Sequence, residues 1–384
     1  MAAESGASVV RSDNGVMLWE VGTEMGCVGQ WRCPAGGEGG EDDDEVGVLA
    51  WIPVDDDGGQ AMGGGKKGGK KKKKGGKKKK VKAPPSLRRP TDALITVGRQ
   101  VMRAVGLAPG HDGVDSEILP VAWSVALLGD DAAGISINSR GSRAVIADDA
   151  GTVTILETRT GAPVGALSVH GSLAGDVAFA PALGAAAVVS GGYDSILALS
   201  YLPASKAGKT KPFRLDFTPP ASSVELTQMV NPPYVHAVEV VAYLAVVARG
   251  DGVVSFVNLK TGAVVRNVRG HRARVTQIAV AKLEPTRAAG VWEAVVVSAS
   301  DDTTLRVFAL SLDLNASADA HVLDDPAAEL VRDDAVLVVD HGLKINWIAT
   351  SPLSSGSGLE VLVADTSCSL ARYELALELG SGHV

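Results

Sequence analysis

Gly270-His271 opens a stretch that continues through Val275-Thr276-Gln277-Ile278-Ala279-Val280. It closes with Val295-Val296-Val297-Ser298-Ala299-Ser300-Asp301-Asp302-Thr303-Thr304-Leu305-Arg306-Val307-Phe308. Alternation with a period of two marks strands on both sides of a loop, and a third strand follows a tight turn rich in Asp and Thr. β-Branched residues dominate the apolar positions, which favours pleated sheet over helix.

The same pattern recurs outward from this stretch. Upstream it appears in Ala144–Leu156, Val188–Leu199 and Ala245–Val257, each a pair of apolar runs around a Gly- or Asp-containing turn. Ala7–Glu20 is a hairpin with an Asn14-Gly15 turn signal. Val46–Pro53 and Ala93–Val105 are strands of one unit interrupted by a long insertion, and His341–Ile348 with Leu359–Leu375 form the last unit. Seven such units of about 40–45 residues account for most of the chain.

A Gly-His opening, evenly spaced strands and a closing aromatic resemble a repeat of the tryptophan-aspartate (WD) family, with Phe308-Ala309 in place of the closing Trp-Asp. The resemblance implies an all-β, seven-bladed propeller spanning residues 1–384 as a single domain. The first blade is expected to be incomplete and to lack its innermost strand, because the Gly-His and strand that should precede Ala7 are absent from this sequence. The resemblance also gives His271, Ser298 and Asp302 a structural role, hydrogen-bonding across the blade. The C-terminal stretches His341–Trp347 and Leu362–Ser369 are similar to the last repeat of one subfamily of this group.

Composition agrees with such a body. The chain has 384 residues, 46% apolar, 21% charged and only 4% aromatic. Cys27, Cys33 and Cys368 are too scattered for a disulfide framework, which points to a reducing compartment. The sequence has no apolar run of membrane-spanning length and no secretory signal pattern, so a soluble intracellular protein is expected. The net charge is −7, yet twelve lysines and no acids lie between Lys66 and Lys82. Without those twelve charges the rest of the chain stands at −7 minus 12, or −19.

Residues 58–89 carry this tract: Lys70, Lys71, Lys72, Lys73, Lys74, Lys77, Lys78, Lys79 and Lys80 among Gly blocks, within the second repeat. A segment of Lys and Gly buries too little to offset the entropy of ordering, so it is expected to be disordered. It reads as a spacer, a nuclear localisation signal or a nucleic-acid tether; without aromatic residues any nucleic-acid contact would be to phosphates alone. Residence in nucleus and cytoplasm is expected on this basis.

No catalytic constellation, cofactor motif or metal-ligand spacing is present, and Gly63-Gly64-Gly65-Lys66-Lys67 departs from the phosphate-loop pattern. A non-enzymatic interaction platform is the expectation. Propellers of this kind that dock on the adaptor of cullin-RING ubiquitin ligases carry a box ending in an aromatic, an acid, any residue and a base. Ala144–Arg159 resembles that box, with Leu156 for the aromatic and Glu157 and Arg159 as acid and base; Val257-Asn258-Leu259-Lys260 is a weaker copy. The resemblance implies that Leu156, Glu157, Arg159, Asn258 and Lys260 contact the adaptor, with a substrate protein elsewhere.

Overall fold

The computed structural model describes residues 6–12, 15–21, 26–32, 46–51, 92–97, 99–105, 117–118, 121–202, 210–219, 230–315, 335–353, 358–367 and 370–376. Strands, numbered along the chain, form seven sheets. The first sheet joins β1 (Gly6–Ser12), β2 (Gly15–Val21), β3 (Gly26–Arg32) and β7 (Glu117–Ile118); the second joins β4 (Val46–Trp51), β5 (Ala93–Val97), β6 (Gln100–Ala104) and β8 (Val121–Ala126). The third contains β9 (Ala132–Ile137), β10 (Arg143–Asp148), β11 (Thr152–Glu157) and β12 (Pro163–Ser168). The fourth contains β13 (Ala174–Phe179), β14 (Ala187–Gly192), β15 (Ile196–Tyr201) and β16 (Phe213–Asp216). The fifth contains β17 (Val235–Val241), β18 (Leu244–Arg249), β19 (Val253–Asn258) and β20 (Ala263–Arg269). The sixth contains β21 (Val275–Pro285), β22 (Val291–Ser300), β23 (Thr304–Asp313) and β24 (Ala335–Asp340), and the seventh β25 (Ile345–Pro352), β26 (Gly358–Asp365) and β27 (Leu370–Ala376).

Apart from β7, each sheet is an antiparallel meander, and the leading strands of the second to seventh sheets touch in succession: β4 with β9, β9 with β13, β13 with β17, β17 with β21, β21 with β25. That is the arrangement of propeller blades around an axis. The first sheet is incomplete, as expected. Its three full strands are joined by a two-residue fourth, β7, which pairs with β3 in parallel. Among the described residues the seventh sheet has three strands. The hairpin at Gly6–Val21 is followed directly by β3, so these residues supply a three-stranded meander.

The insertion lies between β4 and β5, which pair with each other, so it is an excursion from within the second blade. Its Lys tract lies outside the described residues.

The core is a series of layers between blades. In β18, Ala245 and Val247 face the fourth sheet, whereas Val246 and Ala248 face the sixth. In β22, Ala294 and Val296 pack toward the fifth sheet, and Val295, Val297 and Ala299 toward the seventh. In β10, Ala144 and Ile146 meet the second sheet, and Val145 and Ala147 the fourth. A strand covered on both faces must be apolar at every position, and this is why the second strands read as unbroken Ala/Val/Ile runs. The outer strands alternate between exposed and partly buried positions, as in β8 and β12, because only one of their faces is covered.

Candidate functional site

Propeller meanders place the turns between first and second strands, and between third and fourth, on one face. The second-to-third turns and the connections between sheets lie on the other. The candidate residues divide between these two faces.

On the second of these faces, His271 sits in the connection entering the sixth sheet and Asp302 in its second-to-third turn. His271 Nε2 lies 2.7 Å from Ser298 Oγ, and Nδ1 lies 3.2 Å from both Asp302 carboxylate oxygens. Asp302 also accepts hydrogen bonds from the Thr304 hydroxyl at 2.6 Å and the Arg272 amide at 2.9 Å. A carboxylate only accepts, so Nδ1–H donates to Asp302 and the Ser298 hydroxyl donates to Nε2. Burial pushes the His271 pKa down, which keeps the ring neutral. Burial alone would raise the Asp302 carboxyl, but its bonds with His271, Thr304 and the Arg272 amide hold it well below the usual carboxylate range. Gly270 lets this opening close on Phe308: a Cβ there would come within 2.5 Å of the ring.

The connectivity is that of a hydrolase triad. Ser298 is completely buried, however, and lines neither of the cavities described below. The chain of bonds therefore acts as an internal tie between blade segments.

The fourth sheet repeats the tie with residues the sequence reading did not single out for this role. His170 bridges Ser190 and Asp194, each at 2.9 Å. The shared signal is a Ser followed four positions later by Asp, with a left-handed residue after it, Ser195 in one turn and Thr303 in the other. The fifth sheet substitutes an ion pair: Arg249, 1% exposed, bonds Asp251 and Ser255 and lies 4.8 Å from the Phe217 ring centroid. The seventh uses His341 between Asp365 and Tyr373, each at 2.7 Å.

The same face has a cavity of about 350 Å³ near the axis, lined by Asp149, Tyr193, His236, Arg274, Lys344 and Asn346, among others. Tyr193 stacks on Tyr234 at 5.3 Å and meets His236 edge-on at 4.8 Å. Burial, then the charge of Arg274, pushes His236 down to about 4. Among the described residues no group of three or more His, Cys, Asp or Glu is placed to hold a metal ion.

The opposite face carries the turns with the adaptor-box residues. Leu156-Glu157-Thr158-Arg159-Thr160-Gly161 and Val257-Asn258-Leu259-Lys260-Thr261-Gly262 are corresponding third-to-fourth turns of the third and fifth sheets. Gly161 and Gly262 adopt φ of 70° and 73°, each against an aromatic ring of the preceding sheet's outer strand, Trp123 and Phe213. Glu157, Arg159 and Lys260 are exposed. Leu156 and Asn258 are buried, which corrects their placement as contact residues. Leu156 packs in the layer between the second and third sheets, and Asn258 Nδ2 donates to the Leu314 carbonyl at 2.8 Å. Their positions at strand ends point them inward, so they shape the turns.

A groove of about 690 Å³ adjoins the second turn, and Lys260 lines it. Lys260 Nζ rests 3.5 Å from the Tyr243 ring centroid.

No family profile and no curated protein sequence matches this chain. Among solved structures, it is similar to the crystal structure of the C-terminal WD40 domain of Sif2, with a TM-score of 0.54 and 12% sequence identity. The match covers 95% of this chain and 76% of that one. The likeness shows the fold: a WD-repeat β-propeller.

Proposed function

We propose that this chain is a non-enzymatic protein-interaction scaffold and, within that class, a substrate receptor of a cullin-RING ubiquitin ligase. The observation that carries the docking half of this reading is the pair of corresponding turns on one face. Arg159 and Lys260 project from equivalent positions two blades apart, with Glu157 beside the first. A guanidinium offers paired donors to a partner carboxylate, and a lysine offers a compact charge. The opposite face, with its cavity of Tyr193, His236 and Arg274, is then left for the substrate.

A second reading rests on the Lys66–Lys82 tract: a nuclear or nucleolar scaffold that holds nucleic acid by phosphate contacts. Co-precipitation of the ligase adaptor with Arg159→Ala and Arg159→Ala/Lys260→Ala chains separates the two. The receptor reading predicts reduced adaptor recovery with the single variant and further loss with the double. Unchanged recovery, or no adaptor with wild type, turns the reading toward the nucleic-acid scaffold.

A further inference from the structure

We propose that the groove between the fourth and fifth sheets binds an extended segment of a partner protein in which apolar and acidic residues alternate. The proposal needs no adaptor, although Lys260 belongs both to this groove and to the turn assigned above to adaptor docking; Lys211 belongs to the groove alone.

The groove has the size of a ligand site, about 690 Å³. Leu183, from the turn after β13, and Pro212 and Phe213, at the start of β16, give it apolar walls. Tyr243, from the turn between β17 and β18, adds an aromatic face. Lys211 and Lys260 stand exposed at its edges.

Lys260 is held in place. Its amide donates to Asn258 Oδ1 at 2.9 Å, Asn258 is itself anchored to the Leu314 carbonyl, and the ammonium lies over Tyr243. Among the described residues the lysine ion pairs are those of Lys282 and Lys344, and neither Lys211 nor Lys260 has a carboxylate partner. Two unneutralised cations flanking an apolar trough are complementary to carboxylates flanking apolar side chains. An extended peptide presents such groups at alternate positions. Outside the Lys tract the chain is strongly acidic, so an acidic segment is repelled from most of the surface and drawn to this groove. The same acidity disfavours nucleic acid there.

Fluorescence anisotropy with the full chain tests this. The probes are a fluorescein-labelled eight-residue peptide alternating Leu and Glu, the same peptide with Gln for Glu, one with Lys for Glu, and an eight-nucleotide uridine RNA. Wild type should bind the Leu/Glu peptide saturably and the Leu/Gln peptide at least about ten-fold more weakly. Lys211→Glu/Lys260→Glu should lose at least about ten-fold for the Leu/Glu peptide, gain for the Leu/Lys peptide and keep its melting temperature. The Lys66–Lys82 tract is present in both proteins, so its own contribution cancels in the comparison. Equal Leu/Glu affinity in the two proteins, absence of saturable binding, or RNA binding that is stronger and lost on charge reversal would overturn the proposal.

Discussion

Asp176 should give the protein a distinctive pH signature. It lies on β13, where Oδ1 accepts the Val177 amide at 2.7 Å and Oδ2 accepts the Val238 amide of the next blade at 2.8 Å. Gly134 of β9 presses on it so closely that a Cβ would come within 2.5 Å of Oδ1. Burial, then the charge of Glu239, pushes its carboxyl up from 3.8 to about 7 against the pull of the two amides. A folded pKa above the unfolded one means that the native state holds the proton more tightly. The stability from that proton is fully present below about pH 4, and it is lost as pH rises through about 7. A shift of about three units corresponds to about 4 kcal/mol. Asp176 retains partial access to water, which tempers this to roughly 2–3 kcal/mol. Asp176→Asn keeps an uncharged acceptor and removes the titration. Urea midpoints of both proteins at constant ionic strength from pH 4.5 to 8.5 should diverge, with the variant gaining on wild type by roughly that amount toward high pH. Parallel profiles would refute the argument. The difference profile is needed because His170 and His271 are pushed down by burial, so their share of stability is lost as pH falls.

Three further outcomes follow from the ties and the insertion. His271→Ala and Asp302→Ala should each cost about 1–3 kcal/mol in thermal or urea unfolding, since each strands a polar partner inside the sixth blade; wild-type melting in both would remove the tie assignment. Gly270→Ala should destabilise by a comparable or larger amount, because the added methyl meets the Phe308 ring; a variant as stable as wild type would show that the ring moves aside freely. Deleting Gly63–Lys82 should leave the melting temperature unchanged, since the segment is an excursion between paired β4 and β5, and should move the protein from nucleus to cytoplasm by microscopy; a deletion that stays nuclear but loses RNA or DNA would favour the nucleic-acid scaffold.

The repeat at Gly270–Phe308 was legible because period-two alternation and a His, Ser and Asp at fixed places survive in it. Second strands buried on both faces were legible as Ala/Val runs. Other features were hidden for physical reasons. The parallel pairing of β7 with β3 depends on a two-residue contact far along the chain, which leaves no periodic signal. The buried Arg249–Asp251 pair does in the fifth blade what histidine does in the sixth, so a search for histidines passes over it. Asp176 reads as an ordinary polar position in an alternating strand; only the approach of Gly134 and Val238 makes it special. Sequence spacing alone did not separate the exposed Glu157, Arg159 and Lys260 from the inward Leu156 and Asn258, because burial at a strand end depends on the neighbouring blade.

The most direct measurement is hydrogen–deuterium exchange of the chain with and without the purified ligase adaptor. The account predicts slowed exchange in the turns at Glu157–Ala162 and Asn258–Ala263, and unchanged exchange at His271 and Asp302 on the opposite face. Protection confined to that opposite face, or no protection at all at saturating adaptor, would contradict it.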